Sequence, residues 1–213
     1  MKTNTSKRLR VRVAVFVAVA LLALAADRAS KLWALGALGD GRTVVAVPHL
    51  LSLTLVRNPG ASLGLGSSVT WLISCLALAA CVAMALLALR AVRLWWTVAL
   101  ALAFSGAMGN LIDRVVYADG FLNGKVVDFL NYGWSVGNVA DIILFVAAVM
   151  VVALIFAQVP LGRRDLEDAS GSAGGRCGDN GDSGDADDAD AADTTETDAD
   201  ADVAIGQDGK AAR

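Results

Sequence analysis

The stretch NVADIILFVAAVMVVALIFAQV, residues 138–159, contains a single ionisable side chain, Asp141, and that residue stands near one end. A helix rises about 1.5 Å per residue and the hydrocarbon layer of a bilayer is about 30 Å thick, so about 20 apolar residues cross it. Residues 138–159 therefore read as a spanning helix with a carboxyl at its mouth. Two further stretches, 69–89 and 94–112, are as apolar and carry no charge at all. A fourth, 13–26, is followed by Asp27 and Arg28 and then resumes as Lys31-Leu32-Trp33-Ala34-Leu35, so it reads as a span whose far end is polar. A cleaved secretory signal would also have a basic start and an apolar run of this length, but the apolar continuation past Lys31 would then have no meaning.

Composition agrees with a membrane protein and excludes an ordinary soluble domain: of 213 residues 56% are hydrophobic and 18% charged. The formal net charge of -3 conceals a division. Residues 1–164 hold 15 Lys/Arg against six Asp/Glu, and residues 165–213 hold three against 15. That second stretch, Asp, Ala, Gly and Ser with almost no large apolar side chain, cannot bury enough surface to offset the entropy of ordering and is expected to stay disordered. Its acidic runs, such as Asp185, Asp187, Asp188 and Asp190, lack the spacing of a calcium loop and read as a solvated tail. The expected organisation is a basic cytoplasmic N-terminus at 1–12, a four-span domain at 13–160 and an acidic cytoplasmic tail at 161–213.

Basic residues orient the spans. Lys2, Lys7, Arg8, Arg10 and Arg12 precede the first, Arg90 and Arg93 join the second to the third, and Arg163 and Arg164 follow the fourth. All should face the cytoplasm. Both termini then lie inside, and the long connections, about 36–68 and 113–137, lie on the outer face with Asp27 and Asp141. Residues 43–56 are β-branched and partly alternating, which predicts short strands in the first of these connections.

Only six acids occur in the first 164 residues, and four of them, Asp27, Asp113, Asp128 and Asp141, fall at or near the outer ends of spans. Ionisable groups at membrane depth are costly and are functional candidates by default. Asp128 and Asp141 are brought to one boundary by topology. Two carboxyls in contact cannot both remain ionised and share a proton, which suits them to peptide hydrolysis: one activates a water, the other protonates the scissile carbonyl oxygen. Blander readings exist for each acid. Asp141 could cap a helix, Asp27 could pair with Lys31 at i, i+4, and Asp113 could pair locally with Arg114.

Other features carry less. Cys75 and Cys81 lie inside an apolar run and Cys177 in the tail, an arrangement that fits neither a disulfide framework nor a thiolate metal site. His49 is the single histidine, so a zinc peptidase motif is absent, and the glycines at 60, 64 and 66 do not follow a strand and open a helix as a nucleotide fold needs. No metal, cofactor or nucleic acid is expected. Trp71, Trp95, Trp96 and Trp134 fall near span ends and read as interfacial anchors.

Five local patterns, taken together and in order, resemble a known family: Asp27-Arg28-Ala29-Ser30-Lys31, Val56-Arg57-Asn58-Pro59-Gly60-Ala61-Ser62, Gly106-Ala107-Met108-Gly109-Asn110-Leu111-Ile112-Asp113-Arg114, Val126-Val127-Asp128-Phe129 and Asn138-Val139-Ala140-Asp141. They look like the sequence blocks of the lipoprotein signal peptidases, or signal peptidase II. The resemblance covers about residues 13–160. It implies a membrane all-α fold of four transmembrane helices, with a small extracytoplasmic β-cradle between the first and second. It also implies an aspartic endopeptidase of the bacterial cytoplasmic membrane, monomeric, whose catalytic dyad is Asp128 and Asp141. Asp27, Lys31, Asn58, Gly60, Gly106, Asn110, Arg114 and Asn138 are implied to bind substrate or support the site. The implied substrates are prolipoproteins whose cysteine already carries a diacylglyceryl group, cut just before that cysteine within membrane lipid. Three departures stand out: Arg28 where the family often has Gln, Leu63 where it often has an aromatic, and a longer stretch at 115–124. The competing reading is a small transporter or proton relay using Asp27, Asp128 and Asp141. Transporters place such groups near mid-membrane and show internal repeats, whereas these gather at one boundary and no repeat is visible. A structural anchor presenting the acidic tail is a third reading, one that deletion of 165–213 would test.

Overall fold

A computed structural model of the chain describes residues 2–60 and 69–162. Ala61, Ser62, Leu63, Gly64, Gly66, Arg163, Arg164, Cys177 and the acidic tail lie outside the described residues. In chain order the elements are α1 (Lys2–Ala37), β1 (Thr43–Val47), β2 (Leu51–Asn58), α2 (Thr70–Arg90), α3 (Leu94–Val116), β3 (Val126–Asn131), β4 (Val136–Gly137) and α4 (Val139–Phe156). The four helices are each long and apolar enough to cross a membrane. At 36 residues α1 is about 54 Å long, more than a bilayer needs, so its basic first turns extend beyond the apolar layer.

The helices are fastened together at the end where the basic residues lie. An Arg12 guanidinium N–H donates to the Ala91 carbonyl, the Val92 N–H donates to the Leu161 carbonyl at 2.7 Å, and the Trp96 indole donates to the Val159 carbonyl at 2.9 Å. The start of α1, the α2–α3 turn and the segment after α4 thus share one end. Trp96 is buried, so its role is packing and this hydrogen bond, and the expectation of an interfacial anchor is corrected there.

The other three helices pack on α3, whose buried face includes Ala99, Ala101, Ser105, Gly106 and Gly109. Small residues let helix backbones approach closely where lipid gives no hydrophobic drive for association. Two positions on α3 require glycine outright. A Cβ on Gly106 would lie 2.7 Å from the Leu144 Cγ and 2.8 Å from the Ala140 carbonyl oxygen, and one on Gly109 would lie 2.5 Å from the Asp27 Oδ2.

The sheet departs from the expected one. Among the described residues it has four antiparallel strands in the order β1-β2-β3-β4, of which β1 and β2 come from the connection between the first two spans. The other two come from the connection between α3 and α4. The reason is backbone accounting: β2 has two edges, β1 satisfies one, and Val126–Asn131 satisfies the other, with Val56 opposite Asp128 and Asn58 opposite Val126. The expectation of an all-α fold with a cradle between the first and second helices is therefore replaced by four helices and a sheet shared by the α1–α2 and α3–α4 connections. The sheet is seated on the end of α1 through a cluster of Ala34, Leu38 and Phe129, with Leu53, Leu55, Leu130 and Val139 against it.

α3 also runs a turn past the expected end of its span, which makes Asp113 and Arg114 helical. Adjacent helical residues leave the axis about 100° apart, which directs these two side chains to different neighbours. The expected local pair is accordingly absent: Asp113 turns to Arg28 and Lys31 of α1, and Arg114 turns to the Gly60 carbonyl.

Candidate active site

The site lies at the opposite end from the basic turns, where β3 runs into a short hairpin and then directly into α4. Tyr132 donates its backbone N–H to the Ser135 carbonyl at 2.9 Å, and Gly133 sits at φ 88°, a left-handed conformation that glycine adopts without strain. Two residues of β4 follow, and Asn138 caps α4. Its Oδ1 accepts the Asp141 N–H at 3.1 Å while the Asp141 Oδ2 accepts the Asn138 N–H at 3.0 Å, a reciprocal capping box. The capping reading of Asp141 is realised, and it occupies one carboxyl oxygen. The other, Oδ1, accepts the Asn110 amide N–H at 3.0 Å.

Asp128, on β3, is 2% exposed. Its Oδ1 accepts from the Asn138 side chain at 2.6 Å and its Oδ2 from the Asn58 side chain at 2.9 Å. Asn58 reaches it diagonally across the β2–β3 pair, since the residue directly opposite Asn58 is Val126, two positions from Asp128 on the same face. Burial pushes the Asp128 carboxyl up to about 6; the two amide donors oppose that rise and the neighbouring Asp141 charge adds to it. Among the described residues no hydrogen bond joins the two carboxyls directly. They are linked through Asn138, which bonds both, and through Asn110, whose Oδ1 accepts from Asn138 at 3.1 Å.

Both carboxyls line one cavity of about 660 Å³, together with Asn58, Gly60, Asn110, Arg114 and Asn138. Seven of the ten residues singled out from sequence therefore meet there. The other three, Asp27, Lys31 and Gly106, do not line it. Gly106 serves the α3–α4 contact described above. Asp27 and Lys31 belong to an ion cluster directly behind the cavity, with Arg28 and Asp113. Asp27 Oδ2 pairs with Arg28 at 2.9 Å and Lys31 at 3.1 Å; Asp113 pairs with Arg28 at 2.7 Å and Lys31 at 2.9 Å. The remaining acceptor capacity of each carboxylate is spent on backbone. Asp27 Oδ1 accepts the Ala140 N–H at 3.0 Å and Asp113 Oδ2 the Val127 N–H at 3.2 Å. Each buried carboxylate thus holds the residue immediately before one of the cavity aspartates.

Sequence reasoning left several contributors without their role. Asp113 and Arg28 are full members of the ion cluster, so the departure at Arg28 supplies a bridge between two carboxylates. Gly109 gives Asp27 its space. Tyr132, Trp134, Ile142 and Phe145 supply an apolar wall to the cavity, with the Tyr132 and Trp134 rings stacked at 6.2 Å and Trp134 78% exposed. The alternation of aromatic residues around Gly133 was the available signal for this wall.

A family model described as signal peptidase (SPase) II matches residues 19–157. The lipoprotein signal peptidase of Bifidobacterium adolescentis is 63% identical over 168 residues, covering 79% of this chain and 90% of the relative. That of Rhodococcus jostii is 37% identical over 144 residues, covering 67% and 72%. A solved structure described as a bacterial membrane enzyme superposes with a TM-score of 0.58 at 26% identity, over 67% of this chain and 93% of the other. A second of the same description gives 0.59 at 24% identity, over 68% and 90%, and speaks for the fold alone.

Proposed function

Since the chain belongs to the signal peptidase II family, bacterial membrane peptidases of aspartic type that remove signal peptides from prolipoproteins, we propose that Asp128 and Asp141 are its catalytic dyad. The observation that carries this assignment is that both carboxyls line one cavity and each of their four oxygens accepts an N–H, with no cation bonded to any of them among the described residues. Asp128, raised to about 6 by burial, carries the shared proton. Asp141, the more exposed of the two, takes a proton from a water as its oxygen bonds to the scissile carbonyl carbon, and Asp128 donates its proton to the carbonyl oxygen. In the second half Asp141 donates the proton it gained to the leaving amine, the C–N bond breaks, and Asp128 recovers its proton from the gem-diol. Asn58, Asn110 and Asn138 hold the carboxyls, and Arg114 with Gly60 shapes the cavity wall.

The substrate in this reading is a prolipoprotein whose cysteine carries a diacylglyceryl group, cut just before that cysteine; the apolar wall of Tyr132, Trp134, Ile142 and Phe145 suits a lipid-bearing chain. The site faces the outer side of the cytoplasmic membrane with both termini inside, supported by the basic residues Lys7, Arg8, Arg10, Arg12, Arg90 and Arg93 at the opposite end. The dyad comes from one chain, which suits a monomer, and residues 161–213 form an acidic cytoplasmic tail outside the peptidase domain at 13–160. The transporter reading draws no support from any of these likenesses. The test is incubation of the purified full chain with one precursor in two forms, diacylglyceryl-modified and unmodified, with mass analysis of the products. Cleavage of the modified form alone, at the bond before the cysteine, is expected. Equal cleavage of both forms, or a cut elsewhere, would reject the substrate assignment.

A further inference from the structure

Lys31 stands one layer behind the cavity, on α1, 2% exposed and outside the cavity wall. An ammonium has three N–H donors and no acceptor. Here the three meet three oxygens: Asp113 Oδ2 at 2.9 Å, Asn110 Oδ1 at 3.0 Å and Asp27 Oδ2 at 3.1 Å.

The contact with Asn110 fixes more than a distance. A carboxamide can turn over and exchange its oxygen and nitrogen with little change of shape, so its orientation is set by what its neighbours can donate or accept. A neighbour that only donates must face the oxygen. Lys31 therefore places the Asn110 oxygen toward α1 and its NH2 toward Asp141, where it donates to Oδ1 at 3.0 Å. The other two amides obey the same rule with backbone donors. Asn138 Oδ1 faces the Asp141 N–H and Asn58 Oδ1 faces the Gly60 N–H, so both present NH2 to Asp128. Asn138 also donates to Asn110 Oδ1, at 3.1 Å, but the charged ammonium is the stronger donor of the two. Among the described residues, Asn110 is the one of the three amides around the carboxyls with a side chain as its main orienting donor.

We propose that Lys31 is a positioning residue for the peptidase reaction: by donating to the Asn110 oxygen it keeps an amide N–H aimed at Asp141, and so holds that carboxyl where it can take the proton of the attacking water. The proposal rests on the dyad reading above and deepens it. The rest of the cluster gives it rigidity. Lys31 also bridges Asp27 and Asp113, and these hold the N–H groups of Ala140 and Val127, the residues preceding Asp141 and Asp128. One ammonium therefore touches the support of both halves of the dyad.

A role confined to geometry at the reacting carboxyl predicts a loss in rate with binding retained. The test is single-turnover cleavage of a diacylglyceryl-modified precursor by Lys31→Met, Asn110→Leu and the double variant, with affinity for an uncleavable precursor analogue measured alongside. Each single variant is expected to slow cleavage by about 100-fold, with affinity within about threefold of the parent, and the double variant to be no slower than the slower single one. Parent-like rates, a loss that appears in affinity, or losses that multiply in the double variant would each overturn the proposal. Removing Lys31 strips a cation from two buried carboxylates, so Lys31→Met could fail to fold; Asn110→Leu leaves the ion cluster whole and then decides alone, a parent-like rate or weakened binding overturning the proposal. Asp128→Asn and Asp141→Asn run in the same assay separate the two claims. If they cleave normally the dyad reading fails; if they are inactive while Asn110→Leu and Lys31→Met cleave at the parent rate, only the positioning role fails.

Discussion

Four aspartates gather at the end of the helices that carries the sheet, and the fold treats them as two contrasting pairs. Asp27 and Asp113 are fully buried, and each is bonded to both Arg28 and Lys31, so two negative charges meet two positive ones. Among the described residues no cation is bonded to Asp128 or Asp141; amide and backbone N–H groups hold all four oxygens. A carboxylate kept among cations is a fixed fitting, since protonating it would strand buried positive charge. A carboxyl held by neutral amides can gain or lose a proton while its surroundings stay in place. The contrast separates carboxylates that build the site from carboxyls that can do its chemistry.

If that separation is right, breaking the first pair should damage the fold as well as the activity. Asp113→Asn leaves Lys31 and Arg28 short of a counter-charge in a buried place, a change expected to cost about 3–5 kcal/mol. Thermal unfolding in detergent should show a large fall in Tm, and cleavage should be lost with it. An unchanged Tm would mean that the ion cluster is not structural.

Within the second pair, Asp128 should make cleavage respond to pH. Cleavage needs the proton on Asp128, so kcat/KM of the free enzyme should fall as pH rises past about 6. Asn58 donates to that carboxyl and thereby favours its ionised form. Asn58→Ala removes the donor, so the carboxyl holds its proton to higher pH and the alkaline limb should move up by about one unit. A limb that stays in place, or moves down, would contradict the assignment of the proton to Asp128. The smallest effect is expected from the acidic tail: deleting 165–213 should leave cleavage of a lipid-modified precursor within about twofold, since the residues named in the site all precede it. A lost activity there would favour an anchoring role for the tail.

Much of this arrangement was legible in the residues. Span length, the single carboxyl of residues 138–159 and the placement of basic residues give the four helices and gather the polar end at one side. The i, i+4 spacing gives the Asp27–Lys31 pair. What stayed hidden depends on contacts between distant parts of the chain. Val126-Val127-Asp128-Phe129 is buried throughout, so it lacks the alternation that marks a half-exposed strand, and its partner β2 lies about 70 residues earlier. Asp113 looked local to Arg114 because its partners are 82 and 85 residues away on another helix. Arg28 looked like a departure from the family pattern until α3 supplied the carboxylate it bridges to. Gly109 could not be assigned a purpose before Asp27 was seen against it.

The most direct measurement is single-turnover cleavage of a diacylglyceryl-modified precursor by Asp128→Asn and by Asp141→Asn, each purified from the membrane with a Tm no lower than that of the parent chain. Loss of detectable cleavage in both, with retained affinity for an uncleavable precursor analogue, is the predicted result. Cleavage by either variant at the parent rate would contradict it.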